Sequence, residues 1–255
     1  MKRWLPWINI VTVLVALAVN VLANALPLNG QNTGTISDKF KVFFVPAGYV
    51  FAIWGVIYIG WLAFTVYQAL PAQCNNPRLE RIGGLFALSN LANTVWLFTW
   101  HYELFPLSVL VMLSLLLLLI AIYLRLDIGR ARVTLIEKWC VDIPFSIYLG
   151  WISVATIANI TDLLYYWKWD GWGIVPQVWA VIMLVVASAL ALAMGWTRGD
   201  VAYLSVIVWS FVGIAVKQSA APLVANTAWL MTVVVALMIP LSVWYRGKKS
   251  VIARW

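Results

Sequence analysis

Acidic groups are scarce in this 255-residue chain, which has nine Asp and Glu, one His and two Cys. His101 has no second His, Cys or carboxylate at ligand spacing, so the sequence offers no metal centre and no convincing axial haem ligand. The apolar runs have no Asp, Glu, Lys or Arg near their centres; Asp142 and Asp162 fall at the ends of one. Proton relays and ion pumps work through ionisable groups inside the membrane, so that class is disfavoured. No general acid, base or nucleophile pair stands out, and the expectation is no catalytic residue and no enzyme. Cys74 and Cys140 lack a CxxC partner and read as unpaired structural thiols.

What the chain has instead is apolar length. Hydrophobic residues make up 64% of it and charged residues 10%. A soluble domain of this size could not keep so much apolar surface from water. Eight runs approach the roughly 20 residues that a helix needs to cross a bilayer. They are 4–26, 46–70, 82–101, 104–125, 142–163, 175–195, 201–217 and 223–245. None alternates as a barrel strand does. The expected fold is all-α, a polytopic membrane bundle of about eight helices. His101 to Glu103 leave room only for a tight hairpin between the third and fourth. Lys2, Arg3 and Ala23-Asn24-Ala25 resemble a secretory signal, but the apolar run exceeds a typical signal core and reads as a permanent helix.

The net charge of +8 reads as topology and not as a nucleic-acid footprint. With the N-terminus inside, the inner segments hold 13 basic residues: Lys2, Arg3, Arg78, Arg81, Arg125, Arg130, Arg132, Lys138, Arg198, Arg246, Lys248, Lys249 and Arg254. The outer segments hold four, namely Lys39, Lys41, Lys168 and Lys217. The bias predicts both termini in the cytoplasm, in the plasma membrane if the source is bacterial. The basic loop from Arg125 to Lys138 reads as an inner anchor that could also meet anionic lipid. The polar stretch Asn29 to Lys41 reads as a connector or as a cover over the outer end of the bundle.

Seventeen Trp residues supply the pattern. Trp54, Tyr58 and Trp61 stand at i, i+4 and i+7, on one face of the second helix. Ser89, Asn93, Trp96 and Trp100 share a face of the third; Tyr148, Trp151, Ala155 and Asn159 share one of the fifth. An amide in hydrocarbon needs a partner, so Asn93 and Asn159 should face the interior. The bland alternative is that such stripes only pack. Trp4, Trp7, Trp100, Trp167, Trp169, Trp172, Trp244 and Trp255 are expected in the interfacial belts. Residues 92–99 and 225–232 share six of eight identities, an echo of the kind that transporter repeats or biased composition produce.

Pro46-Ala47-Gly48-Tyr49-Val50-Phe51-Ala52-Ile53-Trp54 with Tyr58 resembles the second-helix signature of the tryptophan-rich sensory protein (TspO/MBR) family. Tyr49 stands where that signature has Trp. Leu91-Ala92-Asn93-Thr94-Val95-Trp96 with Phe98 resembles its third helix. Pro144-Phe145 through Trp151, Ala155-Thr156 and Asn159 resembles its fifth. The three occur in order over about residues 1–170, the length of a five-helix member. The resemblance therefore implies a five-helix domain at 1–170 and a three-helix extension at 171–255.

It also implies a receptor or binding protein, with a sensory or regulatory role, for a flat apolar ligand such as a tetrapyrrole or a sterol-like lipid. Trp54, Tyr58, Asn93, Trp96, Trp151 and Asn159 are its ligand-binding candidates. No cofactor is expected beyond such a bound ligand. Expected partners are membrane lipid, the porphyrin or sterol-like molecule, and a second copy or other membrane subunits; nucleic acid is not among them. Two further readings stay open, a small-molecule transporter and a structural subunit of a larger membrane complex.

Overall fold

The computed structural model describes residues 4–26 and 28–252, apart from the side chains of Asn24 and of residues 245–252. Lys2, Arg3, Arg254 and Trp255 lie outside the described residues, as do the side chains of Arg246, Lys248 and Lys249. Among the described residues there is no strand. Eight long helices occupy the eight apolar runs. They are α1 (Leu5–Ala25), α2 (Ile53–Ala69), α3 (Leu85–His101), α4 (Phe105–Arg125), α5 (Ile143–Tyr166), α6 (Pro176–Arg198), α7 (Val201–Lys217) and α8 (Pro222–Ile252). Six are long and apolar enough to cross a membrane, with α3 and α7 the exceptions. Each of those two has 17 residues, or about 25 Å at the α-helical rise, near the short end of the spanning range.

The chain divides into two compact units. The first comprises residues 1–41 and 52–168 and contains α1 to α5. Its helices close a ring: α1 packs on α2 and α3, α2 on α5, α5 on α4, and α4 on α3. Gly60 makes the α2–α5 contact close, since a Cβ there would stand 3.0 Å from Pro144 Cβ. Pro144 follows directly on helical turns that run from Leu135, so its missing N–H interrupts the i→i−4 ladder inside a continuous helical stretch. A π-helical turn at Lys138–Asp142 precedes it. The α3–α4 hairpin turns through Glu103 at φ +57°, which lets α4 return along α3.

The second unit comprises residues 42–51 and 169–255. Here α6, α7 and α8 pack on one another. Gly199 at φ +54° ends α6 and Asp200 caps α7, accepting from Tyr203 N at 3.1 Å, the ordinary stop and start signals. The 42–51 segment lies on α7. Ala47 N donates to Gly213 O at 3.0 Å, and Trp209 Nε1 donates to Val50 O at 3.1 Å. A Cβ at Gly213 would meet Val50 Cγ2 at 2.2 Å, so this seat admits only glycine. The first half of the second-helix motif thus belongs to the second unit, with Tyr49 edge-on to Trp209.

At the end of the first unit where α2 and α4 finish, Arg78 acts as a clamp. Asn76 caps the short helix Pro77–Ile82 and sets Arg78 in place. Its Nε donates to Leu126 O at 2.8 Å, and its two terminal nitrogens pair with Glu137 at 2.9 Å and Asp142 at 2.5 Å. All three side chains are nearly buried, at 11–12% exposure. Removing one partner of such a group costs about 3 kcal/mol, because the other charges stay behind. Arg78→Met should therefore destabilise the detergent-solubilised protein by about 3 kcal/mol, whereas exposed Arg81→Met changes it by no more than about 0.5 kcal/mol. Equal unfolding midpoints for the two variants would contradict the clamp.

Candidate ligand-binding site

The interior of the five-helix ring holds the aromatic stripes. Trp54 stacks on Tyr58 at 5.9 Å and on Trp96 at 6.5 Å between ring centroids, and meets Trp151 edge-on at 6.2 Å. In the ring α2 neighbours α1 and α5, whereas α3 neighbours α1 and α4, so Trp54 and Trp96 meet across its interior. Tyr148 lies edge-on to Trp54 and to Trp61. Trp96, Trp151 and Tyr148 are buried, whereas Trp54 and Tyr58 are half-buried. The geometries are the offset and edge-to-face ones that aromatic quadrupoles favour.

Two polar sets run through these rings. In one, Asn20 Nδ2 donates to Asn93 Oδ1 at 2.9 Å, and the Tyr58 hydroxyl donates to Asn20 Oδ1 at 3.0 Å. In the other, Trp96 Nε1 donates to Asn159 Oδ1 at 3.3 Å, and Asn159 Nδ2 donates to Ser108 Oγ at 3.1 Å. All six residues read from the sequence, Trp54, Tyr58, Asn93, Trp96, Trp151 and Asn159, are therefore brought to one interior. Three atoms beside them stay without a hydrogen-bond partner although buried: Asn93 Nδ2, the Tyr148 hydroxyl and Trp61 Nε1. The Tyr148 hydroxyl lies beside the Asn93 amide, the neighbouring group placed to answer it.

Sequence reasoning missed Asn20, and it left Trp61, Tyr148 and Ser108 out of the site. A signal for Asn20 was present. Asn9 and Asn20 are eleven residues apart, three helical turns, which puts both amides on one face of an otherwise apolar helix. Both are buried.

One belt assignment is corrected. Trp100 is buried at 3% exposure and stacks on Trp96 at 5.9 Å. The reason is the Asn29–Lys41 stretch. It folds as a short helix, Thr33–Ser37, with an Asn32/Thr35 capping box. It also covers Trp100, whose Nε1 donates to Thr33 O at 3.3 Å while Phe40 packs on its ring. Trp169 is half-buried among Trp172 and Trp179. Trp4, Trp7, Trp167, Trp172 and Trp244 are exposed. His101, placed by its sequence at a hairpin tip, is fully buried with Nδ1 at 2.9 Å from Leu97 O. No disulfide joins Cys74 and Cys140. No group of His, Cys, Asp and Glu fit to hold a metal occurs among the described residues.

A family model described as TSPO-like protein matches residues 6–241. The chain belongs to the TSPO-like protein family. The match runs well past residue 170, so it takes in α6, α7 and most of α8. No curated protein and no solved structure matches the chain. In this TSPO-like protein the echo between 92–99 and 225–232 pairs unlike environments. Asn93 and Trp96 are buried, but Asn226 and Trp229 are exposed.

The cover over Trp100 is pinned at Glu103. Lys39 pairs with its carboxylate and Gln31 Nε2 donates to it at 3.1 Å. These hydrogen bonds hold the Glu103 carboxyl below its ordinary range. A carboxylate so depressed contributes fully above its unfolded value, about 4.3, and loses the contribution as pH falls through the lower folded value. Hydrogen-exchange protection factors at Thr33–Ser37 should therefore fall on acidification below about pH 4, and Glu103→Gln should show reduced protection already at neutral pH with little further change. An unchanged acid response in Glu103→Gln would show that another group pins the cover.

Proposed function

We propose that this TSPO-like protein is an integral membrane receptor or binding protein whose α1–α5 interior takes a flat, largely apolar molecule of the tetrapyrrole or sterol class. The observation that supports this best is the pairing of stacked rings with open polar atoms. Trp54, Trp96 and Trp151 offer faces and edges to a planar guest. Trp61 Nε1 is a buried donor without a partner, and Asn93 Nδ2 and the buried Tyr148 hydroxyl lie beside one another outside good hydrogen-bond geometry; such groups cost stability unless something answers them. A planar ring with a few polar atoms on its edge meets both needs. The half-burial of Trp54 and Tyr58 leaves the guest an approach along α2. The site has neither a metal-ligand set nor an acid–base pair, and the reading assigns it binding without chemistry.

The test is a titration of purified protein in nanodiscs with protoporphyrin and with a sterol, read by Trp fluorescence. Each ring-on-ring contact contributes about 0.5–1.5 kcal/mol beyond burial. Trp96→Ala should therefore weaken binding by up to about tenfold and not abolish it. Asn93→Leu keeps the bulk and removes the polar contact, so it should change the preference between the two ligands more than it changes stability. Absence of saturable binding of either ligand by the wild type would favour a structural-subunit role instead.

The charge asymmetry supports an orientation with both termini in the cytoplasm, in the plasma membrane if the protein is bacterial. A reporter fused to the C-terminus should be active only if its activity requires the cytoplasm. Activity of the outward-reading reporter alone would reverse the orientation.

A further inference from the structure

Past Trp61 the α2 stripe changes its chemistry. Thr65 and Gln68 follow at i+4 and i+7 on the same face and are buried, as are Asn9 of α1 and Asn90 of α3. Asn9 Nδ2 donates to Gln68 Oε1 at 2.8 Å. The Thr12 hydroxyl donates to Asn9 O at 3.1 Å and accepts from Asn90 Nδ2 at 3.4 Å. Neutral groups thus tie three helices together. Each amide, however, uses only one end. Asn9 Oδ1, Asn90 Oδ1, Gln68 Nε2 and the Thr65 hydroxyl are buried without a hydrogen-bond partner. Turning the Asn9 and Gln68 amides together would keep their mutual bond and still leave one oxygen and one nitrogen open.

The chemistry of the open atoms selects the guest. A cation would meet the Gln68 N–H groups, with no carboxylate in the cluster to balance its charge. An anion would meet the oxygens of Asn9 and Asn90. A hydroxyl group donates one hydrogen bond and accepts up to two, so it can donate to an amide oxygen and accept from Gln68. We infer that Asn9, Thr65, Gln68 and Asn90 form a second site, separate from the stacked tryptophans, that binds a neutral hydroxyl group. The oxygen is either that of a water molecule, which needs two to four such partners, or that of an alcohol on an apolar molecule.

Two arms of one experiment separate the sources. Water-edited NMR spectra of ligand-free wild-type protein in nanodiscs, with labelled Asn and Gln side chains, read water at the Asn9, Gln68 and Asn90 amides directly. This arm needs no variant to fold and no ligand to bind, so its result is independent of the stacked-ring reading. The second arm compares cholesterol with cholestane, which lacks the hydroxyl. If the alcohol occupies the site, wild type prefers cholesterol by about tenfold, the worth of one answered buried group. Gln68→Leu then loses that preference and Asn93→Leu keeps it. Water signals at the three amides support the site with solvent as the source. A preference erased by Gln68→Leu supports it with the alcohol as the source. Dry amides together with equal affinity for the two molecules would overturn the proposal.

Discussion

Asn20 and Asn93 hydrogen-bond at 2.9 Å inside a ring of helices whose outer residues are apolar, and much of the first unit follows from that contact. An amide left in hydrocarbon forfeits its hydrogen bonds. Two helices that each bring an amide must therefore turn those faces toward each other, which fixes the rotation of α1 and of α3. Once α3 is rotated so, Trp96 and Trp100 must also face inward, one and two turns further on. Tyr58 closes on Asn20 and fixes α2 in the same way, and Trp54, one turn before it, then meets Trp96. Asn159 repeats the logic between α4 and α5 through Ser108. The net strength of each bond is modest, about 0.5–2 kcal/mol in a membrane. The angular constraint matters more, because apolar packing alone would tolerate many rotations of helices as uniformly hydrophobic as these.

That constraint also explains how far the sequence could be read. Helix positions were legible because hydrophobic length is a strong signal, and Pro144, Pro176, Pro222 and Gly199 mark the ends. The inward stripes of α2, α3 and α5 were legible because an amide or a ring recurs at three- and four-residue spacing. Trp100 was not, because a tryptophan at a helix end has the same local signature whether it meets lipid headgroups or the underside of a folded loop. Only the Thr33 carbonyl and the Phe40 ring decide the matter, and they lie 67 and 60 residues away in sequence. Asn20 carried a signal in its spacing from Asn9, but the apolar run around it drew attention to span length.

The second unit is held differently. Its helices approach through missing side chains. Gly195 lies where a Cβ would meet Met238 at 2.6 Å, and Gly213 seats Val50. Small residues are the usual means of close approach in lipid, where the hydrophobic effect cannot drive helices together. The Pro46–Phe51 part of the second-helix motif belongs to this unit by its hydrogen bonds to α7. A pattern that looks continuous along the chain therefore serves two structures. The family match runs from residue 6 to residue 241 and is not confined to the five-helix part.

The central claim is that the inward faces of α2, α3 and α5 receive a planar apolar guest. Photo-crosslinking with a tetrapyrrole or sterol bearing a photoreactive group, followed by mapping of the modified residues, tests it most directly. The account predicts adducts at Trp54, Tyr58, Trp96 or Trp151 that unlabelled ligand competes away. Adducts confined to the outward faces, such as Val56, Ile59 and Val95, and insensitive to competitor, would contradict it.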